Sequence, residues 1–242
     1  MRVTRCHVDL PLPVGSRIVL PESAAAHLVR VLRLREGDGC VLFNGDGNDC
    51  AARIVTAGKR EVIVEILSIA PVDNESPFRI TLLQGIARGE KMDLILQKAT
   101  ELGAAAIAPV LAERTEVKLD AERTEKRVAH WRSVIVSACE QSGRAIIPRL
   151  TAPAALADAA RASADSLKLT LDPAGEHTLA SLPASASSAT LAIGPEGGWS
   201  PRDRETLRAA GYTGLRLGPR VLRTETAGLA AIAALQARFG DL

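Results

Sequence analysis

The chain has 242 residues, enough for one large domain or two modest ones to bury a core without disulfides or metals. Hydrophobic residues make up 47% but aromatics only 2%, so Ala, Leu, Val and Ile must fill the interior, which suits helices packed on a sheet. A formal net charge of +2 does not announce a nucleic-acid partner, and Cys6, Cys40, Cys50 and Cys139 lack the Cys-x-x-Cys spacing and nearby His of a zinc site.

Within that balance, 24 of the 30 basic residues are Arg, whose planar fork matches phosphate and stacks on bases, although a GC-rich genome produces the same bias. The segment Met1-Arg2-Val3-Thr4-Arg5-Cys6-His7-Val8-Asp9 is not a signal peptide. No apolar run reaches the roughly 18 residues needed to span a membrane, so a soluble cytoplasmic protein is expected.

Over the first 70 residues, short apolar stretches alternate with turn signals: residues 17–20, 40–43, 50–55 and 61–66, with hairpin-type turns at Asn44-Gly45-Asp46-Gly47-Asn48 and Ala57-Gly58-Lys59. This predicts a small β-barrel. A helix from about Glu22 to Leu32 interrupts it and leads into the basic run Arg30-Val31-Leu32-Arg33-Leu34-Arg35. The composition of Pro71-Val72-Asp73-Asn74-Glu75-Ser76-Pro77 marks a linker, so the expected division is residues 1–72 and 73–242.

Beyond it, strand-like and helical runs alternate, which predicts an α/β domain with a parallel sheet. Strand candidates are residues 79–84, 105–111, 166–171, 191–193 and 214–217. Helices are expected from Glu90 to Leu102 with Gly103 as the stop, from about Ala121 to Ser142, from about Ala154 to Ala162, after the N-cap Ser200, and from about Thr226 to Phe239. Residues 181–190, rich in Ser and Ala, read as a connection.

Two loops in this second half carry chemistry. Gly194-Pro195-Glu196-Gly197-Gly198 follows a buried strand and precedes a capped helix, placing it at the carboxyl end of a parallel sheet, where open α/β folds bind ligands. Its three glycines let backbone approach a ligand closely. A tight turn without a ligand has the same signature. Leu217-Gly218-Pro219-Arg220-Val221-Leu222-Arg223-Thr224-Glu225-Thr226-Ala227 follows the next strand in the same way, and two such loops suit opposite walls of one pocket. Arg220 and Arg223 suit an anion or nucleotide, while Leu217, Val221 and Leu222 offer apolar surface for an adenine ring. No Gly-x-Gly-x-x-Gly or Gly-x-x-x-x-Gly-Lys-Ser/Thr run supports a dinucleotide fold or a P-loop.

These two loops resemble the signature of the ribosomal RNA small subunit methyltransferase E family. The resemblance extends through His27-Leu28-Val29-Arg30-Val31-Leu32-Arg33, Gly37-Asp38, Lys91-Met92-Asp93, Gln97-Lys98-Ala99-Thr100-Glu101-Leu102-Gly103 and Glu140-Gln141-Ser142-Gly143-Arg144, covering both expected domains in order. One departure lies at Arg5, followed here by Cys6-His7 rather than aromatics, which weakens base stacking there. The resemblance implies a PUA-like or OB-like barrel before a SPOUT-type α/β domain tied in a trefoil knot. It also implies a homodimer, and N3-methylation of a uridine in 16S rRNA of the small ribosomal subunit from S-adenosyl-L-methionine. The cofactor is then expected against Leu171, Gly194, Pro195, Glu196, Gly197, Gly198, Leu217, Gly218, Val221, Leu222, Thr226 and Ala227.

For the chemistry, uridine N3 must lose a weakly acidic imide proton. Arg220 or Arg223 is the candidate cation beside the resulting anion, Glu196 the first candidate base and Glu140 the second; Glu196 as a helix cap and an Arg223–Glu225 structural pair are the bland alternatives. RNA contacts are expected from Arg5, Arg30, Arg33, Arg35, Gln141 and Arg144, with solvated faces as the alternative. His27 reads as a packed or capping residue, and no metal is expected. Two rivals share the architecture: a knotted methyltransferase acting on a ribose 2'-hydroxyl or another base, and a non-catalytic rRNA-binding assembly factor.

Overall fold

The computed structural model describes residues 4–58, 60–117 and 120–242. Residues 1–3 and Lys59, which bear on the expected N-terminus and the Ala57-Gly58-Lys59 turn, lie outside the described residues. Its contacts divide the chain into two compact units. One comprises Met1–Glu75 together with Cys139–Ile147, and the other comprises Ser76–Ala138 and Pro148–Leu242.

The first unit contains β1 (Arg5–His7), β2 (Arg17–Val19), α1 (Glu22–Ala25), a π-helical segment (Ala26–Val31), β3 (Gly39–Phe43), β4 (Asn48–Ala57) and β5 (Val62–Pro71). The strands form a five-stranded sheet in the order β1-β3-β4-β5-β2, with β1 parallel to β3 and the other pairs antiparallel. Among the described residues no pairing between the edges β1 and β2 closes the expected barrel. Register shifts between β4 and β5 mark bulges of the kind that bend a sheet around its core, here Leu28, Leu42, Ile54, Val64 and Ile66 among others. Gly45 and Gly47, with φ of 93° each, make the turn between β3 and β4.

The helix expected from Glu22 to Leu32 is regular only at its start. The Leu32 amide reaches back five residues to the His27 carbonyl, and Arg33, at φ 59°, ends the turn in the left-handed region. This widened turn keeps Ala24 and Leu28 buried while Arg30, Val31, Leu32, Arg33 and Arg35 stay exposed.

The second unit contains β6 (Arg79–Gly85), α2 (Glu90–Glu101), β7 (Ala104–Leu111), all but the last turn of α3 (Ala121–Ser142), β8 (Arg149–Leu150), β9 (Ala154–Ala155) and α4 (Leu156–Ala162). It continues with β10 (Leu167–Leu171), β11 (His177–Thr178), a 3-10 turn (Leu179–Ser181), β12 (Ser188–Ile193), α5 (Pro201–Ala209), β13 (Thr213–Arg216) and α6 (Thr224–Phe239). Eight strands form one parallel sheet in the order β11-β13-β10-β12-β6-β7-β8, with β9 paired to β7. Residues 154–155, expected to begin a helix, instead extend the sheet beside Val110 and Leu111. The Ser/Ala-rich connection likewise turns into β12 at Ser188, where pairing with Arg79 begins.

Short-range signals explain the helix ends that matter. Ser200 caps α5: its hydroxyl accepts from the Asp203 amide, and the Asp203 carboxylate accepts from the Ser200 amide, both at 3.0 Å, with Pro201 in the first turn. Gly103, at φ 82°, ends α2, whose Met92, Ile95, Leu96 and Ala99 are buried. From β13, which lies between β11 and β10, the chain returns across the sheet to α6, which packs on α2, β6 and β12. No described helix is long and apolar enough to cross a membrane.

Candidate functional site

Because the sheet is parallel, the segments that follow β10, β12 and β13 all leave it at its carboxyl end. The sheet order adds a fact that chain order hides: β10 lies between β12 and β13. The Gly-rich loop after β12 and the loop after β13 are therefore walls on either side of Leu171-Asp172-Pro173. Together they enclose a cavity of about 470 Å³, within the range of small-molecule sites.

Of the residues expected around a ligand here, Leu171, Gly194, Pro195, Glu196, Gly198, Leu217, Gly218, Val221, Leu222 and Ala227 line the cavity, as do Arg220 and Arg223. Gly197 and Thr226 are not among its lining residues. Thr226 is exposed on the outer side of the first turn of α6. Gly197 faces the other way: its carbonyl accepts from Arg114 Nη1 at 2.9 Å, and a Cβ there would stand 3.0 Å from Arg114 Cβ.

Further lining comes from Lys91, Asp172, Trp199, Arg204, Thr224 and Glu225. Asp172 directly follows Leu171, which the family resemblance places against the cofactor, at the end of β10. Arg204, which pairs with Asp172, had no signal of its own. Val221 is 81% exposed, so apolar surface stands open on the wall that Leu217 and Leu222 continue.

The loops are held by buried hydrogen bonds. Thr224 Oγ1 donates to the Gly194 carbonyl at 2.6 Å and accepts from Gln84 Nε2 at 3.1 Å, joining the starts of α6 and the Gly-rich loop to the end of β6. Gly85 is required beside them, since a Cβ there would lie 2.5 Å from Pro195 N. Trp199 donates from Nε1 to Thr170 Oγ1 at 2.9 Å, tying the far end of the loop to β10.

The charged groups divide by commitment. Glu196 Oε1 accepts from the Arg88 amide at 3.0 Å and faces Lys91 Nζ at 3.5 Å. Partial burial works against ionisation of this carboxyl, but the amides of Arg88 and of Glu196 itself, together with Lys91, outweigh it and hold its pKa below the ordinary value. Asp172 is taken by Arg204. Glu225, by contrast, has its Oε2 buried with no hydrogen-bond partner, and it makes no ion pair with Arg223 among the described residues. Arg220 and Arg223 are exposed and enter no ion pair among the described residues.

The other expected residues lie in the first unit. Glu140 Oε1 accepts from the His7 amide at 2.9 Å, so it closes the end of α3 onto β1 and is not a lining residue of the cavity. Arg144, expected to reach RNA, is 4% exposed and donates to Glu75 from Nε at 2.8 Å and from Nη2. Arg5 is also committed: it pairs with Asp49, donates to the Arg144 carbonyl at 3.1 Å, and lies 4.9 Å from the Phe43 ring centroid. Gln141, Arg30, Arg33 and Arg35 remain exposed. No cluster of metal-binding side chains occurs among the described residues.

Comparison with known proteins follows the same two-part division. Residues 74–236 match the model of an RNA methyltransferase domain, and residues 20–67 match that of an RNA methyltransferase PUA domain. The chain is similar to ribosomal RNA small subunit methyltransferase E of Buchnera aphidicola, with 33% identity over 100% of the chain and 98% of the relative. It is also similar to the Bacillus subtilis protein of that name, with 32% identity over 86% and 85%. Among solved structures, a Legionella pneumophila protein assigned as a methyltransferase, with bound S-adenosylmethionine, superposes with a TM-score of 0.97 at 40% identity. Ribosomal RNA small subunit methyltransferase E of Neisseria gonorrhoeae bound to S-adenosylmethionine gives 0.92 at 38%, and both comparisons cover 100% of each chain.

Proposed function

The chain belongs to the ribosomal RNA small subunit methyltransferase E family, and from that premise we propose that it methylates N3 of a uridine in 16S rRNA, with S-adenosyl-L-methionine as donor. The observation that carries the reading is the cavity shared by three strand-end segments, which combines apolar walls, glycine backbone and two uncommitted arginines. Leu171, Leu217, Val221, Leu222 and Ala227 supply apolar surface for the adenine. Gly194, Gly198 and Gly218 offer backbone without side-chain obstruction, and Pro195 stiffens the loop between the first two. When bound, the donor supplies a methyl group on a sulfonium that is already a good leaving group. The chain must therefore align the acceptor and remove its proton.

Arg220 and Arg223 are the cations that stabilise negative charge spreading onto the uracil oxygens. For the proton, Glu196 is a poor base, because its ionised form is already stabilised by the Arg88 amide and Lys91. Glu140 spends its carboxylate on His7. Glu225 lines the cavity with uncommitted acceptor capacity, and we assign it the proton, taken directly or through one water.

On the first unit, exposed Arg30, Arg33 and Arg35 contact RNA phosphates, with Gln141 as a further polar contact, while Arg5 and Arg144 brace the unit. The enzyme works in the cytoplasm as a homodimer on the small ribosomal subunit. The deciding experiment is mass mapping of nucleosides in 16S rRNA from a strain lacking the protein, complemented with wild type, E225Q or E196Q. Loss of one N3-methyluridine, restored by wild type and E196Q but not by E225Q, is expected. A missing ribose methylation, or one on another base, would overturn the reading.

A further inference from the structure

Gly197 is the member of the Gly-rich loop that the cavity does not use, and its neighbour across the loop is Arg114. We propose that Arg114 is held at the rim of the cavity to grip a backbone phosphate of the RNA beside the target nucleotide. This rests on the reading that the chain acts on RNA, and it adds a contact on the catalytic unit itself.

The segment after β7 that carries Arg114 is fixed at several points. The Ala112 amide donates to Thr115 Oγ1, and the Thr115 amide to the Ala112 carbonyl, both at 3.0 Å. The Glu113 amide donates to Asp203 Oδ1 at 3.3 Å, and Asp203, 5% exposed, is the partner of the cap Ser200 in the first turn of α5. Arg114 is thus presented from a platform tied to the helix that follows the Gly-rich loop.

Its stem lies on Gly197. A Cβ at 197 would meet Arg114 Cβ at 3.0 Å, its carbonyl oxygen at 3.4 Å and its Cδ at 3.5 Å, so the absence of a side chain is what admits the arginine. The residues on either side, Glu196 and Gly198, line the cavity, which places Arg114 one residue behind its wall. It is not itself a lining residue of the cavity.

The head group is available. One guanidinium nitrogen donates to the Gly197 carbonyl, and the side chain is exposed with no carboxylate partner among the described residues. The two flanking acids are each engaged elsewhere, Glu113 with Arg202 and Glu116 with Arg88. A guanidinium whose orientation is fixed by one backbone acceptor keeps further N–H groups for the two oxygens of a phosphate. Arg220 and Arg223 stand on the opposite wall, so an RNA strand entering the cavity meets cations on both sides.

The test uses the whole protein with R114A, R114K and G197A, S-adenosylmethionine, and a 16S rRNA fragment or subunit that the wild type binds. In R114A, donor affinity by calorimetry stays within about twofold, while RNA binding weakens by roughly tenfold. The slope of log K against log salt also becomes shallower by about 0.7–0.9, one phosphate's worth. R114K recovers the slope with part of the affinity. G197A weakens RNA binding in the wild-type background and adds nothing in R114A. Unchanged RNA affinity and slope in R114A would overturn the proposal. So would a parallel loss of donor affinity, which would make Arg114 only a brace of the loop. A wild type that binds donor yet shows no salt-dependent RNA affinity would overturn the RNA reading on which the proposal rests.

Discussion

Thr224 gives the most direct test of how the two cavity walls are held. The change T224V replaces its hydroxyl with a methyl group of nearly equal size, so it creates no cavity and isolates the hydrogen bonds. Two are lost: the 2.6 Å bond to the Gly194 carbonyl and the 3.1 Å bond from Gln84 Nε2. Each is worth about 1 kcal/mol net. Gln84 is 0% exposed and keeps only its 2.9 Å bond to the Gly85 carbonyl, so one of its N–H groups is left buried and unpaired, at a further cost of about 1 kcal/mol. The expected loss is therefore about 2–3 kcal/mol. T224S, which keeps the hydroxyl and loses one buried methyl group, should lose only about 1 kcal/mol. The assay is guanidinium unfolding followed by tryptophan fluorescence. Both tryptophans, Trp131 and Trp199, belong to the second unit, so the signal reports the unit that contains the substitution. Donor binding should weaken in T224V and hold in T224S. A T224V protein within about 0.5 kcal/mol of wild type, or a T224S protein equally damaged, would show that packing alone positions α6 against the Gly-rich loop.

The pH dependence of Glu196 has a defined sign. Its carboxyl sits below the ordinary 4.5, so its ionised form adds stability above that value, and the contribution disappears as pH falls through the lowered one. Unfolding midpoints of wild type and E196Q should thus differ most near neutrality and converge as pH falls below the ordinary carboxylate range; a constant gap would refute the linkage. In the first unit, R5A should cost about 2–3 kcal/mol, because Asp49 would keep a buried Oδ1 and lose its guanidinium. R5A/D49N should recover part of that loss, and hydrogen exchange at the Val8 and Val41 amides, which join β1 to β3, is the readout. Equal protection in wild type and R5A would remove Arg5 from the brace.

The Gly-rich loop and its partner were legible because their signals are local: a strand, glycine and a helix start recur within about a dozen residues, with Ser200 capping the first of the two helices. The roles of Arg5 and Arg144 were not, because their partners are remote. Arg5 meets Asp49 and a carbonyl 139 residues away, and Arg144 meets Glu75 across 69 residues. A basic residue beside Gln141 reads as solvent-facing until the chain is folded, and folding turns it inward against a carboxylate. Segment 139–147 joins the first unit for the same reason: it is continuous with a helix of the second unit, and contacts such as His7 to Glu140 assign it elsewhere.

Gly197 shows the same limit at the scale of a single residue. In the run Gly194-Pro195-Glu196-Gly197-Gly198 all glycines look alike, and close approach to a ligand explains each equally well. The structure separates them by what a Cβ would strike. At Gly194 it would crowd Gly198 and Trp199 across the turn, all at 3.2 Å, so that glycine lets the loop close on itself. At Gly198 it would strike nothing within 4 Å, and φ of 65° is the requirement. At Gly197 it would strike Arg114. One composition therefore meets three separate demands, and only the first two concern the cavity. The third links that cavity to a cation which local sequence spacing does not connect with it, 83 residues earlier in the chain.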